Sequence, residues 1–403
     1  MATRICVITS SRADYGLLRW LLHDLRADPA FQLQLIVTGM HLAREFGHTI
    51  DEIERDGFTA NGPVEMRRVE VRQVEMLLSS DTPSAICKSM ALGTAGVSEA
   101  LVQLQPDLVL VLGDRFEILS AVQACLIHNV PVAHIAGGDT TEGATDESIR
   151  HAITKMAHVH LVTNQQSAQR VLQMGENPQR VHVVGSPGLD QLRRQPLLDA
   201  AQLAQALGTA LGQRNLLVTF HPVTLEPGQE TAQLQELLAA MDAQPQGTRL
   251  WVTRPNADSG SRGIADALDR WAAASGDRVQ LHTSLGSLRY LSLMAQVDAV
   301  VGNSSSGLYE APSLGVPTVN IGERQRGRLA ASSVLHCPPE RAAITRAIEQ
   351  ALAMDCSAVV NPYGDGHSVP RIVEVLRHLP ARAHLLKKPF HLVEQAAAGA
   401  THA

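Results

Sequence analysis

The chain has 403 residues, 45% of them apolar and 18% charged, with a formal net charge of −6. That length exceeds one ordinary core and suits two units of about 150–200 residues, while the acidic balance and lack of a long basic run exclude nucleic acid as a partner. Aromatic residues make up only 3% of the chain, too few for a run of stacking platforms along a polymer.

The first segment, RICVITS, reads as a strand, followed by a polar turn and a helical stripe of Leu17, Leu18, Leu21, Leu22 and Leu25. LQLIVTG, DLVLVLGD, PVAHIAG, HLVTN and VHVVGSPG continue the strands, with helices expected over FEILSAVQACLIHN and DESIRHAITKMAH. The grammar restarts after Gly188 with NLLVTFHP, RLWVTRPN, VQLHTSL, DAVVGNSSSG and VPTVNIG, the two halves bridged by a helical stretch over 198–212. Alternating units of this kind imply an α/β protein of two doubly wound, Rossmann-like domains, 1–188 and 189–380, with a terminal segment 381–403 and a ligand cleft between the halves. Cys6, Cys87, Cys125, Cys337 and Cys356 lie scattered without a CxxC pair, so reduced core thiols are expected rather than disulfides or a zinc site. No cationic leader precedes the first strand and no stretch reads as the roughly 20 apolar residues of a membrane span, so a soluble, cytoplasmic chain with no membrane partner is expected.

Chemistry-bearing residues cluster where these strands end. Ser10–Gly16 places small polar residues and Arg12 at a helix N-terminus, a setting for phosphate; a helix cap with a surface Arg–Asp pair explains the same residues. Gly113-Asp114-Arg115-Phe116-Glu117 follows an apolar strand, with a helix-capping ion pair as the competing reading. The stretch from His134 to His151 packs Asp139, Glu142, Asp146 and Glu147 around Gly137-Gly138, with Thr145 placed to cap the next helix. Neighbouring carboxylates whose pKa values separate suit proton abstraction beside proton donation. His221 follows the first strand of the second half, where a structural histidine is the commoner outcome. Gly302-Asn303-Ser304-Ser305-Ser306-Gly307 offers hydroxyls and N–H groups for a phosphate, Glu310 could reach ribose hydroxyls, and Arg324, Arg326 and Arg328 could close over an anion. GxxxxGK[ST] and GxGxxG are both absent.

Taken in order, SSRADYG, VTGMH, VLGDRFE, DESIRHAITKMAH, FHPVT, RPNADSG, GNSSSGLYE and IGERQRGR resemble the UDP-N-acetylglucosamine 2-epimerases, in particular their hydrolysing branch. The resemblance implies a GT-B-like pair of domains closing on a UDP-amino sugar, elimination of UDP to a 2-acetamidoglucal, and rehydration to N-acetylmannosamine. It implies a homodimer or homotetramer, and because the sequence shows no cluster with metal-ligand spacing, chemistry without a metal or cofactor is expected. By motif it implies catalytic roles for Asp114, Asp146 and His221. It also implies substrate or UDP contacts from Arg12, Ala13, Asp14, Arg115, Glu147, Asn256, Ser304, Ser305, Glu310 and Arg324. One departure stands out: Ala136 occupies the position of the glutamate in HIEGG, and Asp139, Glu142 or a histidine could take over its catalytic role, Asp139 being favoured. The same elimination on a 2,4-diacetamido-trideoxy UDP-sugar, a GT-B glycosyltransferase and a sugar-nucleotide sensor are the competing functions.

Overall fold

In a computed structural model, residues 2–59, 69–80, 82–142, 145–223, 228–255 and 261–393 are described. Two parallel sheets organise them. The first runs in the order β3-β2-β1-β4-β5-β6-β7, built from β1 (Thr3–Thr9), β2 (Phe31–Thr38), β3 (Glu70–Val74), β4 (Leu108–Leu112), β5 (Val132–Ile135), β6 (Val159–Val162) and β7 (Val181–Val183). The second runs β10-β9-β8-β11-β12-β13, from β8 (Arg214–Thr219), β9 (Thr248–Thr253), β10 (Val279–His282), β11 (Ala299–Gly302), β12 (Thr318–Ile321) and β13 (Val334–Cys337). The expected pair of doubly wound α/β units is present.

The central strands are apolar on both faces because helices cover both faces. All five residues of β4 are buried; Leu108 and Leu110 join one core layer with Leu18, Leu22 and Leu35, and Val109 and Val111 the other with Ile118 and Val122. At about 1.5–3 kcal/mol per buried aliphatic side chain, this strand anchors the sheet on which the site is built. Two strands escaped the sequence reading, β3 and β13. Each is the outermost strand of its sheet and carries polar residues, Glu70, Arg72 and Gln73 in one and His336 in the other.

The division into 1–188 and 189–380 remains our proposal for how the chain separates into units, with one observed complication. The helix Ser368–Arg377 lies within 189–380 yet packs Val369, Ile372, Val373 and Leu376 into the first unit's core. Asp190 secures the return by accepting from the Ser368 and Val369 N–H groups at 2.8 and 3.0 Å.

The expectation that no segment is long and apolar enough to span a membrane needs correcting. Among the described residues, the 22-residue helix Pro83–Leu104 meets that test by length and composition. Here it is an amphipathic cover of the first sheet, with Val97, Ala100, Leu101 and Leu104 in the core and Leu92 and Val102 exposed.

Candidate active site

Each sheet has a point where strand order reverses, between β1 and β4 in the first and between β8 and β11 in the second. The connections at these points diverge and open a crevice at the strands' carboxyl ends, the usual ligand position in open α/β sheets. The motifs Ser10–Gly16, Gly113–Glu117, Phe220–His221 and Gly302–Ser306 occupy the ends of those four strands.

After β1, Ser11 caps the helix Arg12–Ala27 with extended backbone at φ −150°. Asp14 is buried and accepts from the Ser10 N–H at 2.8 Å, the Ser10 hydroxyl at 2.9 Å and the Ser11 hydroxyl. Its carboxylate thus shapes the turn from within, while Ala13 is exposed and Arg12 half-buried at the surface. Gly39 explains the glycine in VTGMH: its φ is +59°, and an added Cβ would stand 2.8 Å from the Ser10 carbonyl oxygen and 3.2 Å from Glu117 Cγ. His41 is buried between Thr9 (3.0 Å) and Thr49 (2.8 Å), and burial pulls its pKa down to about 4, so it serves as a neutral strut.

After β4, Asp114 forms an ion pair with Arg150. Burial alone would raise its pKa, but Arg150, Arg328 and Arg115 outweigh that effect and hold the carboxyl below its ordinary value. Arg115 forks onto the fully buried Glu117 at 3.1 Å through both Nε and Nη2. Desolvation nevertheless leaves Glu117 with a raised pKa.

The acid-rich stretch divides into different roles. His134 is buried, with Nε2 2.7 Å from the Gly113 carbonyl and Nδ1 3.1 Å from Thr154 Oγ1. Burial lowers its pKa to about 3, so a neutral ring donates to Gly113, the residue before Asp114. Asp139 is buried and accepts from the Thr163, Ser167 and Tyr309 hydroxyls at 2.6, 2.5 and 2.6 Å. Ala136, at the departure from HIEGG, has a left-handed φ of +61° and donates its N–H to Leu161.

The helix Asp146–Met156 carries the remaining groups. Thr145 stands at its N-cap position but makes no side-chain cap bond, contrary to expectation; Asp146 and Glu147 occupy the electropositive first turn. Glu147 accepts from the Thr141 N–H, from Arg150 Nη1 at 3.3 Å and faces His151 Nε2 at 3.0 Å. Arg150, missed from sequence, is the hub: only 1% exposed, it binds Asp114, Glu147, the Asp139 carbonyl at 2.8 Å and Thr141 Oγ1 at 2.7 Å.

In the second unit, His221 is buried and locked by a reciprocal pair: its N–H donates to Asn303 Oδ1 at 2.7 Å, and Asn303 Nδ2 donates to its carbonyl at 2.8 Å. Gly302 is required beneath this clamp because a Cβ there would collide with the Thr219 carbonyl oxygen. Ser304 and Ser306 face each other at 3.0 Å, Tyr290 reaches Ser306 at 2.6 Å, and Ser305 is half-buried beside them. Glu310 is enclosed enough that desolvation pushes its pKa up to about 8 despite Arg328. Arg324 Nη1 and Gln325 Nε2 both donate to the Asn303 carbonyl, at 3.1 and 2.8 Å. Asn256 lies outside the described residues.

The arginine loop behaves differently from a free anion clamp. Arg328 donates to the Thr140 carbonyl and Thr141 Oγ1, both at 3.3 Å; Arg326 pairs with Glu142 at 3.1 Å; and Thr140 Oγ1 donates to the Gly327 carbonyl. The loop after β12 therefore docks on the loop after β5, while Tyr309 fastens Asp139 behind it. Among the described residues, no three of His, Cys, Asp and Glu converge as a metal-binding group.

Two parallel α/β units joined through the loops at their strand ends define a GT-B-like two-domain architecture. Solved structures share it: the Neisseria meningitidis UDP-GlcNAc 2-epimerase bound to UDP-GlcNAc aligns at TM-score 0.75 and 18% identity, over 93% of this chain and 99% of that one. The Methanocaldococcus jannaschii UDP-GlcNAc 2-epimerase in complex with UDP-GlcNAc and UDP gives 0.74 and 15%, with the same coverages of 93% and 99%. In sequence, the chain is 37% identical to a Campylobacter jejuni GDP/UDP-N,N'-diacetylbacillosamine 2-epimerase (hydrolysing) over 82% of this chain and 83% of that protein. It is 32% identical to a Legionella pneumophila UDP-N,N'-diacetylbacillosamine 2-epimerase (hydrolysing), over 96% and 99%. With the UDP-N-acetylglucosamine 2-epimerase of Neisseria meningitidis it shares 31%, over 93% and 95%. The UDP-N-acetylglucosamine 2-epimerase signature matches residues 23–377, and the chain belongs to that family.

Proposed function

We propose that this protein is a hydrolysing 2-epimerase that converts a UDP-linked 2-acetamido sugar to UDP and the free sugar inverted at C2. The observation that carries the reading is the hub at the first switch point: two carboxylates, Asp114 and Glu147, share the buried Arg150, with Asp146 beside them. In the first half-reaction a base in this cluster takes the C2 proton, the C1–O bond to UDP breaks and a C1–C2 double bond forms. In the second, water adds at C1 and a proton returns to C2 on the opposite face, so one water is consumed per UDP released. Acid and base duties, on the order of 100- to 10,000-fold each, are assigned to Asp114, Asp146 and Glu147 as a unit. Arg12, His221, Ser304, Ser305 and Arg324 are proposed to receive the growing diphosphate charge, where one lost donor costs roughly 3–4 kcal/mol. Glu310 is proposed to meet the ribose, and Asp139 is proposed to tie the two units together.

For the sugar we favour 2,4-diacetamido-2,4,6-trideoxyglucose, the compound in the names of the Campylobacter and Legionella relatives at 37% and 32% identity. UDP-GlcNAc, giving N-acetylmannosamine, is the second reading, supported by the Neisseria relative at 31%. Purified protein treated with chelator and offered each sugar as its UDP conjugate, and the diacetamido sugar also as its GDP conjugate, decides among them. Stoichiometric nucleotide release with a manno-configured free sugar supports the reading and identifies the substrate. Epimerised sugar still bound to nucleotide would overturn the hydrolytic step, and release that needs an added acceptor would indicate a glycosyltransferase.

A further inference from the structure

The far end of the Asp146–Met156 helix meets a buried charge cluster that no step above uses. Glu176 is 1% exposed, and its carboxylate is surrounded by Lys155 Nζ at 2.6 Å, Lys388 Nζ at 2.8 Å and His160 Nε2 at 2.9 Å. Burial would raise the Glu176 pKa, but the hydrogen bonds from His160, Lys155 and Lys388 outweigh it and hold the carboxyl well down, at about 2. Lys388 also donates to the carbonyls of Lys155 and Ala157 at 2.5 and 2.6 Å. It therefore caps the helix C-terminus, where a cation complements the unpaired carbonyls and the negative end of the dipole.

Lys388 belongs to a strap at the end of the described chain. Arg180 anchors the strap through the carbonyls of His384, Leu385 and Lys387 at 2.6, 2.7 and 3.0 Å. Further along, Phe390 lies against Gly175 with Lys155 4.9 Å from its ring centre, and the His391 N–H donates to the Gly175 carbonyl at 2.8 Å. The clamped helix has 11 residues, so its ends are about 16 Å apart. It touches the Asp114 region twice: through Arg150 directly, and through Thr154, which meets the His134 ring that holds the Gly113 carbonyl. An axial shift at the capped end would move both contacts.

We propose that Lys388, with Glu176 as its counter-charge, is a positioning residue that fixes the axial setting of the Asp146–Met156 helix and thereby aligns Arg150, Glu147 and Asp114. The strap is in this sense part of the active-site framework. The proposal rests on the hydrolytic reading only for its kinetic test.

The experiment compares wild type with Lys388→Met, Lys388→Arg and the exposed-residue control Leu392→Ala. A displacement on the ångström scale costs on the order of 100-fold when it falls on reacting groups. Lys388→Met is accordingly expected to lower kcat by about 10- to 100-fold, with KM and the Kd for UDP within about twofold of wild type. Lys388→Arg should recover most of the loss. Amide exchange over 146–151 should accelerate in Lys388→Met and not in Leu392→Ala. A folded Lys388→Met with unchanged kcat and unchanged exchange over 146–151 overturns the proposal, as does a fall in thermal stability with kcat intact. Should Lys388→Met not fold, Phe390→Ala loosens the strap while leaving the charges around Glu176, and must show the same loss of kcat at constant KM. If wild type turns over none of the nucleotide sugars, the functional reading fails, and the exchange comparison alone decides the positioning role.

Discussion

Replacing Arg150 with methionine removes one side chain but strands two carboxylates. Methionine matches much of the arginine stem, so the packing change is modest and the loss is chiefly of charge. The guanidinium binds Asp114, Glu147, Thr141 Oγ1 and the Asp139 carbonyl. The carboxylates left behind are 21% and 25% exposed and Asp114 still faces Arg328 and Arg115, so the loss is about 1.5–3 kcal/mol, that of a hydrogen bond to a charged group. For a unit of this size that is a fall of roughly 3–12 °C in Tm. The pH dependence gives the sharper signature. In wild type, Asp114 sits below its ordinary pKa, so its contribution is present above the unfolded value and is lost as pH falls through the folded one. In Arg150→Met the largest opposing charge is gone, burial is opposed only by Arg328 and Arg115, and the Asp114 pKa moves up from its wild-type position. The stability gap between wild type and variant should therefore narrow as pH is lowered from 7 to 3. Urea titrations of Arg150→Met, Asp114→Asn and the double variant should give a coupling energy above about 1 kcal/mol. Additivity within about 0.5 kcal/mol, or a gap independent of pH, would refute the hub as the source of these effects.

Other consequences follow from single side chains. Glu310, pushed up to about 8 by burial, is mostly protonated at pH 7; if it accepts ribose hydroxyls, UDP binding should release a proton between about pH 5 and 8. Calorimetry in buffers of different ionisation enthalpy measures that proton, and Glu310→Gln should abolish it. Ala136 holds a φ of +61°, a conformation that costs a residue with a Cβ about 1 kcal/mol or more, so Ala136→Gly should stabilise slightly or leave stability level in a urea titration, whereas Ala136→Val should destabilise. Tyr309→Phe deletes the hydroxyl that joins the second unit to Asp139 and should cost about 1.5–3 kcal/mol, as a hydrogen bond to a charged group does, measured by thermal unfolding.

What could be read from the sequence follows the range of the forces involved. Strands such as β4 announce themselves because burial on both faces demands unbroken apolar runs, and the turns after them are legible because local hydrogen bonds shape Ser10–Asp14 and Gly302–Ser306. β3 and β13 pair on one side only and need no such run. Pro83–Leu104 was overlooked because alanine, glycine and serine spread around it and blur the apolar stripe. The roles of Asp139 and Arg150 depend on partners brought together by the fold, Tyr309 at a separation of 170 residues and Asp114 at 36. No local pattern encodes such pairs. Arg150 did offer one hint, its place three residues after Glu147 on a helix, where side chains three apart share a face.

The return of Ser368–Arg377 to the first core also bears on biosynthesis. Val369, Ile372, Val373 and Leu376 are made about 180 residues after the last strand of the first sheet, yet they cover apolar side chains of that sheet. Until those residues leave the ribosome, the nascent first unit carries an uncovered greasy furrow, and at about 5–20 residues per second that interval lasts roughly 10–40 s. The order of translation and the order of core completion are thus opposed, and the amino-terminal half reaches its finished form only once the carboxyl-terminal half has been synthesised.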